Sequence, residues 1–293
     1  MSQPNQFFFL GGDTAPSETH RSDDGAVTVG VARPLFEPGP GEAFSENAGD
    51  WRFGFVHSRV FTAKEKLSCR QWSGVIYELH ERFGFDQMML DAGSGGAGMM
   101  VAREMLAPTQ MVGNAEKRVT VIGDKVNAPS LVAHGEFILN MFKRGDPGCE
   151  LVWPAPEGTG KSLAGDDLLK SALYGEMKTA YDTRVMEMVR PAEEFFDRTG
   201  PLYPKIQNWP KEREWAIKNL DAAGVQLKGI VAVQTPEGRD VFTARGARVF
   251  RSLGKDDIGW SHMMCYGAFL IWLKSFGGRQ PVDEEDLAGF SGR

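Results

Sequence analysis

The chain is poor in cysteine, in long apolar runs and in surplus positive charge, and each shortage excludes something. Its three cysteines, Cys69, Cys149 and Cys265, are odd in number, far apart and without a C-x-x-C pair. A disulfide framework and a thiolate zinc site are thereby excluded, and the usage fits a reducing cytoplasm. The longest apolar stretches, Phe7 to Leu10 and Met263 to Leu273, fall well short of the ~20 residues a bilayer span requires, and no signal peptide is visible. With 33 Lys and Arg against 39 Asp and Glu, the net charge is −6, so the chain does not grip nucleic acid through its overall charge. Basic residues gather locally instead: Lys64, Lys66 and Arg70; Lys117 and Arg118; Lys143 and Arg144; and Arg245, Arg248, Arg251 and Lys255. Each cluster alone reads more simply as a solvated face than as a DNA track.

A content of 42% hydrophobic and 25% charged residues over 293 positions is that of a globular protein able to bury a sizeable core. Phe7 to Gly12 reads as a buried strand that delivers Asp13 at its C-terminal end. The alternation of Val27, Val29 and Val31 predicts a second strand, broken by the Pro/Gly-rich stretch from Pro34 to Gly41, and Phe53 to Phe61 predicts a third. Three consecutive strands without an intervening helix are expected to pair antiparallel. Thr62 and Glu65 match a capping box, so a helix is expected to start there. Trp72, Ile76, Leu79 and Phe83 form its apolar stripe, and Gly84 its C-terminal cap. Phe85 to Leu90 predicts a fourth strand ending at Asp91 and a glycine-rich turn, and the helical crossover before it allows it to run parallel to the first. Further on, Ala128 to Arg144, Asp166 to Arg190 and Lys211 to Ala223 read as helical. Leu227 to Gln234 and Val241 to Phe250 read as a strand pair around the turn Thr235 to Arg239. Asp256 to Leu273 reads as an apolar helix with an acidic pair at its start, where carboxylates suit the helix dipole.

Carboxylates at the ends of two neighbouring strands, with one or two more heading a buried helix, are the ligand set of a two-metal phosphodiesterase. Mg²⁺ prefers carboxylate oxygens, and paired ions ~4 Å apart serve both the attacking water and the leaving oxygen. Taken singly, Asp13 and Asp91 are as well read as turn formers and Asp256 as a helix cap. Their combination on this order of elements is what points to chemistry.

The runs Phe55-Val-His-Ser-Arg-Val-Phe-Thr62, Lys64-Glu-Lys-Leu-Ser68, Trp72-Ser-Gly-Val-Ile76, Glu78-Leu-His-Glu81, Phe83-Gly-Phe85 and Leu90-Asp-Ala-Gly-Ser-Gly-Gly96 resemble the nuclease half of bacteriophage terminase large subunits. Lys255-Asp-Asp-Ile258 resembles that family's last acidic motif. The resemblance is dense over about residues 50 to 100 and thin between there and the last motif. It implies an α/β, RNase H-like fold with a mixed central sheet, strands one to three antiparallel and strand four parallel to strand one, flanked by helices. It also implies an endonuclease that cuts concatemeric double-stranded viral DNA with Mg²⁺ or Mn²⁺, two ions being expected. The metal and catalytic residues would be Asp13, Asp91, Asp256 and Asp257, with Asp23 or Asp24 a weaker addition. Lys64, Arg245, Arg248, Arg251 and Lys255 would guide phosphates without reading bases. Family members carry an ATPase motor ahead of the nuclease, whereas Asp13 lies near the start here. The expectation is an excised or separately encoded nuclease that cuts DNA but does not translocate it. The ATPase motor, the small terminase subunit and the portal would be its partners, and the infected host's cytoplasm its location. Residues 1–277 are expected to form a single domain with a helical elaboration at about 128–225, followed by a loose tail over 278–293.

Two rival motifs and one rival reading compete. Gly93, Gly95 and Gly98 satisfy G-x-G-x-x-G after a strand, like the first motif of S-adenosylmethionine-dependent methyltransferases, with Asp124 after Val119 to Gly123 as the acid of the next strand. That leaves three preceding strands unexplained, and the glycines are better read as room for the backbone beside Asp91. Ala155 to Ser162, including Lys161, fits a relaxed P-loop, but Pro154 and Pro156 restrict it and no acidic strand end follows. A non-catalytic DNA-binding packaging module is the third possibility. The histidines do not cluster at metal spacing; His57, His80 and His262 are expected to pack or hydrogen-bond, and Met88, Met89, Met99 and Met100 to fill the core.

Overall fold

The computed structural model describes residues 5–16, 24–39, 42–62, 64–92, 97–122, 139–142, 169–186, 196, 210–234, 240–244 and 257–276. Strand β1 (Phe7–Asp13) pairs antiparallel with β2 (Gly25–Pro34), which pairs antiparallel with β3 (Trp51–Phe61). Helix α1 (Cys69–Phe83) then carries the chain back, so that β4 (Phe85–Asp91) enters parallel to β1. A short strand, β7 (Leu139–Phe142), lies parallel to β4 at the sheet's far side. The sheet order is β3-β2-β1-β4-β7. The first four strands carry the mixed pairing expected of an RNase H-like sheet.

Between β4 and β7 come α2 (Ala97–Met105) and the hairpin β5 (Thr109–Val112) and β6 (Ala115–Arg118). Beyond β7 come α3 (Leu169–Asp182), α4 (Lys211–Lys228), the hairpin β8 (Ile230–Gln234) and β9 (Asp240–Ala244), and α5 (Asp257–Phe276). No helix among the described residues is long and apolar enough to cross a membrane.

The two faces of the sheet bury separate cores. Leu10, Val27, Met88 and Leu90 pack against Trp72, Ile76 and Leu79 of α1 and Val101 and Met105 of α2. Phe9, Phe53 and Met89, facing the other way, pack on α5 together with Trp51. Every residue of α5 from Gly259 to Leu273 is buried, as is required of a helix that is apolar all round. It lies between the sheet and an outer layer of α3 and α4. Its end is anchored by edge-on aromatic pairs, Phe9 with Phe269 at 5.5 Å and Trp51 with Trp272 at 5.4 Å, each contributing about 0.5–1.5 kcal/mol beyond burial.

Glycine lets α5 approach the sheet. A Cβ on Gly11 of β1 would lie 2.1 Å from the Cys265 nitrogen and the Ser261 oxygen, and one on Gly267 would lie 2.8 Å from Met89.

Some expectations change. The Thr62–Glu65 pair does bond, Glu65 Oε2 accepting from the Thr62 backbone N–H at 2.8 Å, but it closes a turn. The helix begins six residues later, where Ser68 and Gln71 form the capping box, because that box sits directly ahead of the apolar stripe. Leu139–Phe142, inside the segment read as helical, is a strand with Leu139 and Met141 fully buried; a short apolar run has no period of its own to tell strand from helix. Leu227 and Lys228, expected to open a strand, complete α4 instead, so that β8 starts at Ile230; β9 covers Asp240–Ala244, and the rest of the expected Val241 to Phe250 strand lies outside the described residues. Met88 and Met89 are core residues, Met99 is partly buried, and Met100 is exposed. The Asp166–Arg190 expectation is met over Leu169–Asp182, but residues 183–186 are not helical.

Candidate active site

In the parallel pairing of β1 with β4, Gly12 is in register with Leu90, and one residue further on Asp13 and Asp91 end their strands side by side. Neighbouring strands are ~4.8 Å apart. Side chains alternate along a strand, so Asp13 shares the α5 face with Gly11, whose missing Cβ accommodates the α5 backbone. Asp91 is on that face as well: its carboxylate Oδ2 accepts a 3.0 Å hydrogen bond from the Trp260 indole Nε1–H of α5. Asp91 is 7% exposed and Trp260 is fully buried, while Asp13 is half-buried.

Asp257 is the first residue of α5 and half-buried, one turn before Trp260. The indole bond therefore brings the start of α5, with its positive dipole end, to the sheet edge where β1 and β4 finish. Asp24, also half-buried, directly precedes β2 at this edge, two residues from Ala26, the partner of Asp13. Asp23 and Asp256 lie outside the described residues. Among the described residues, no group of three or more His, Cys, Asp and Glu side chains is placed to hold a metal ion.

Trp260 was not singled out in the sequence, where it is one apolar residue among many in α5. Its position three residues after Asp257 is the signal that was there to find. A second participant is Lys170 of α3, buried at 8% exposure, whose ammonium stands 5.9 Å from the Trp260 ring centre, within cation–π range.

A buried polar cluster lies beneath the same stretch of α5. Thr28 Oγ1 of β2 is 2.8 Å from Ser261 Oγ and 3.0 Å from His262 Nδ1. The His262 ring is stacked obliquely on Phe55, with centroids 4.2 Å apart, and burial lowers its pKa to about 4. His57 is likewise lowered to about 4, first by burial and then by Arg59 and Arg82. Arg59 of β3 forks onto Glu78 of α1 at 2.8 and 3.0 Å and reaches Glu212 of α4 at 3.0 Å. Its guanidinium holds both carboxyls below the usual range and ties α4 to the edge of the sheet. His80 accepts the Phe85 backbone N–H on its Nδ1 at 3.0 Å. All three histidines thus have packing or hydrogen-bonding places.

Of the residues expected to guide DNA, Lys64 is exposed, whereas Arg245, Arg248, Arg251 and Lys255 lie outside the described residues. Arg70 is ion-paired with Glu116, and Lys117 with Glu81 at 3.2 Å; these two belong to the solvated face joining α1 to β5–β6.

The methyltransferase alternative finds little support. Val119 to Ile122 forms no strand, and Asp124 lies outside the described residues. Gly98, at the start of α2, donates its N–H to the Ala92 oxygen at 3.2 Å, and a Cβ there would lie 1.8 Å from the Asp91 oxygen. This glycine gives room to the backbone beside Asp91. Gly93, Gly95 and the P-loop-like run from Ala155 to Ser162 are outside the described residues.

No family model matches the chain, and no curated protein matches it. Among solved structures it is similar to the large terminase nuclease from thermophilic phage G20c, at 12% identity and TM-score 0.40, covering 90% of this chain and 83% of that one. The nuclease domain of the large terminase subunit gp2 of bacterial virus Sf6 matches at 10% identity and TM-score 0.45, covering 90% and 89%. A variant of that Sf6 domain, solved with manganese and beta-thujaplicinol, matches at 10% identity and TM-score 0.49 with the same coverage.

Proposed function

We propose that this chain is a metal-dependent endonuclease of a phage genome-packaging terminase, hydrolysing double-stranded DNA within a single nuclease domain over residues 1–277. The observation that supports it most is the ending of Asp13 and Asp91 side by side on adjacent parallel strands, with the first turn of α5 tied to Asp91 through Trp260. The resemblance of the segments around residues 50 to 100 to terminase nucleases points the same way.

The chemistry of the donors suits Mg²⁺ or Mn²⁺: Asp13 and Asp91 offer carboxylate oxygens, that of Asp91 buried and hydrogen-bonded by Trp260. Asp13, Asp91 and one or both of Asp256 and Asp257 would hold the ions. Two such ions, when bound, supply activation of the attacking water and stabilisation of the leaving oxygen. The chain's own part is to fix the carboxylates on rigid strand ends and to set a helix N-terminus beside them. Lys64, Arg245, Arg248, Arg251 and Lys255 would contact phosphates, which positions DNA without selecting sequence. The host cytoplasm would be its place of action, and the ATPase motor, the small subunit and the portal its partners.

The test is supercoiled plasmid incubated with and without Mn²⁺ or Mg²⁺. Wild type nicks and linearises it only with the ion. Asp13→Asn and Asp91→Asn lose cleavage by orders of magnitude while retaining DNA affinity. Binding without cutting under any divalent ion would leave a packaging module that only binds DNA, and cleavage by Asp91→Asn at the wild-type rate would remove Asp91 from the chemistry.

A further inference from the structure

We infer that Trp260 is the positioning residue of the site, its indole N–H fixing the Asp91 carboxylate in the orientation that receives a divalent ion. The inference rests on the nuclease reading above and adds to it a group that is not itself a metal ligand. Three observations carry it. The indole Nε1–H donates to Asp91 Oδ2 at 3.0 Å, between residues 169 apart in sequence. Both partners are buried, so water does not compete for the bond, and an unpaired indole N–H there would be costly. Lys170 stands 5.9 Å from the same ring, placing a cation on the ring whose edge carries the donor.

A carboxylate terminating a strand swings about its Cα–Cβ and Cβ–Cγ bonds, and an ion bound by such a group must first order it. A buried donor on Oδ2 restricts that freedom beforehand. A carboxylate has about four lone-pair sites, so accepting one N–H leaves its capacity to ligate intact. Neutral N–H donation also leaves its negative charge in place, which an arginine at the same point would offset. Trp260 meanwhile sits one turn from Asp257, so the same indole sets the distance from the start of α5 to the end of β4. Supports of this kind, hydrogen-bonded to a ligand, typically contribute about 10–100-fold to metal affinity.

The experiment compares wild type, Trp260→Phe and Asp91→Asn by thermal shift against Mn²⁺ concentration, with no DNA present. Wild type melts higher as Mn²⁺ is added, since an ion bound only by the folded state stabilises it. Trp260→Phe keeps the ring's bulk and loses the donor; its Mn²⁺ midpoint is expected to rise about 10–100-fold, while ion-free DNA affinity stays at the wild-type value. A wild-type midpoint in Trp260→Phe, alongside a lost response in Asp91→Asn, overturns the inference and spares the nuclease reading. Absence of any Mn²⁺ response in wild type overturns both. Should Trp260→Phe fail to fold, indole-¹⁵N-labelled wild type decides the matter with diamagnetic Mg²⁺: of the indole N–H signals from the seven tryptophans, the one that Asp91→Asn displaces without the ion is slow to exchange with solvent and shifts on Mg²⁺ addition. If no indole signal is displaced by Asp91→Asn, or that signal ignores Mg²⁺ while the melting temperature still responds, the inference is wrong.

Discussion

Replacing Gly11 by alanine tests how α5 is seated and whether that seating governs the site. The added Cβ would stand 2.1 Å from both the Cys265 nitrogen and the Ser261 oxygen, where ordinary contact begins at 3.4 Å. These are backbone atoms inside a helix, so no rotamer change relieves the clash; the helix must move outward by about 1 Å. Overpacking of this kind costs about 1–3 kcal/mol, and two simultaneous backbone contacts argue for the upper end. At roughly 2–4 °C per kcal/mol for a domain of this size, Gly11→Ala should lower the melting temperature by about 5–10 °C. The internal control is Gly54 in β3, where a Cβ meets nothing within 4 Å; Gly54→Ala should be neutral or slightly stabilising, because it restricts the unfolded chain. Differential scanning calorimetry of the two variants decides it. Since Gly11 lies two residues before Asp13 and faces the turn after Trp260, the lifted helix should also weaken the Mn²⁺-dependent rise in melting temperature. A Gly11→Ala protein that melts with wild type would refute the close seating of α5.

Acid should destabilise the fold before its carboxylates titrate. His57 and His262 both have native pKa values lowered to about 4 from 6.5, so the unfolded chain takes up protons that the folded one refuses. Their contribution is complete above pH 6.5 and is lost as pH falls toward 4. Urea titrations at pH 7 and pH 5 should differ by up to about 2 kcal/mol per histidine, with His262→Gln reducing the difference; equal stability at both values would contradict it. Ser68→Ala should cost about 0.5–2 kcal/mol as a lost N-cap, whereas Thr62→Ala, in the turn ahead of the helix, should cost less, as chemical denaturation of both would show. Arg59→Leu should raise hydrogen exchange in α4 more than in β1, because Arg59 joins Glu212 to Glu78 across elements; uniform exchange would show that α4 is held by its apolar contacts alone.

The sheet was legible because its strands are buried and marked off by glycine and proline, and because no long helical pattern separates the first three, which predicts antiparallel pairing. Asp13 and Asp91 were legible as strand ends. That their strands can be neighbours was legible too, but not the register that sets the two side by side, which only the packed structure supplies. Trp260 illustrates the limit: an indole in an apolar helix reads as core, and its single polar atom acquires meaning only when a carboxylate far away in sequence is folded against it. The start of α1 was misplaced because Thr62–Glu65 and Ser68–Gln71 are the same local signal in tandem, and tertiary packing of the apolar stripe selects the second.

The burial of α5 between the sheet and the α3–α4 layer has a consequence for how the protein is made. Cys265 of α5 reaches the Phe9 carbonyl across 256 residues, yet β1 leaves the ribosome first. At about 5–20 residues per second, the apolar face carrying Phe9, Phe53 and Met89 waits on the order of ten to fifty seconds for its cover. During that interval the nascent sheet presents aromatic residues with nothing of its own chain to put on them. Yield in the cell should therefore depend on holdase capacity during elongation, and slowing translation near the 3′ end should increase aggregation without changing the stability of the finished molecule.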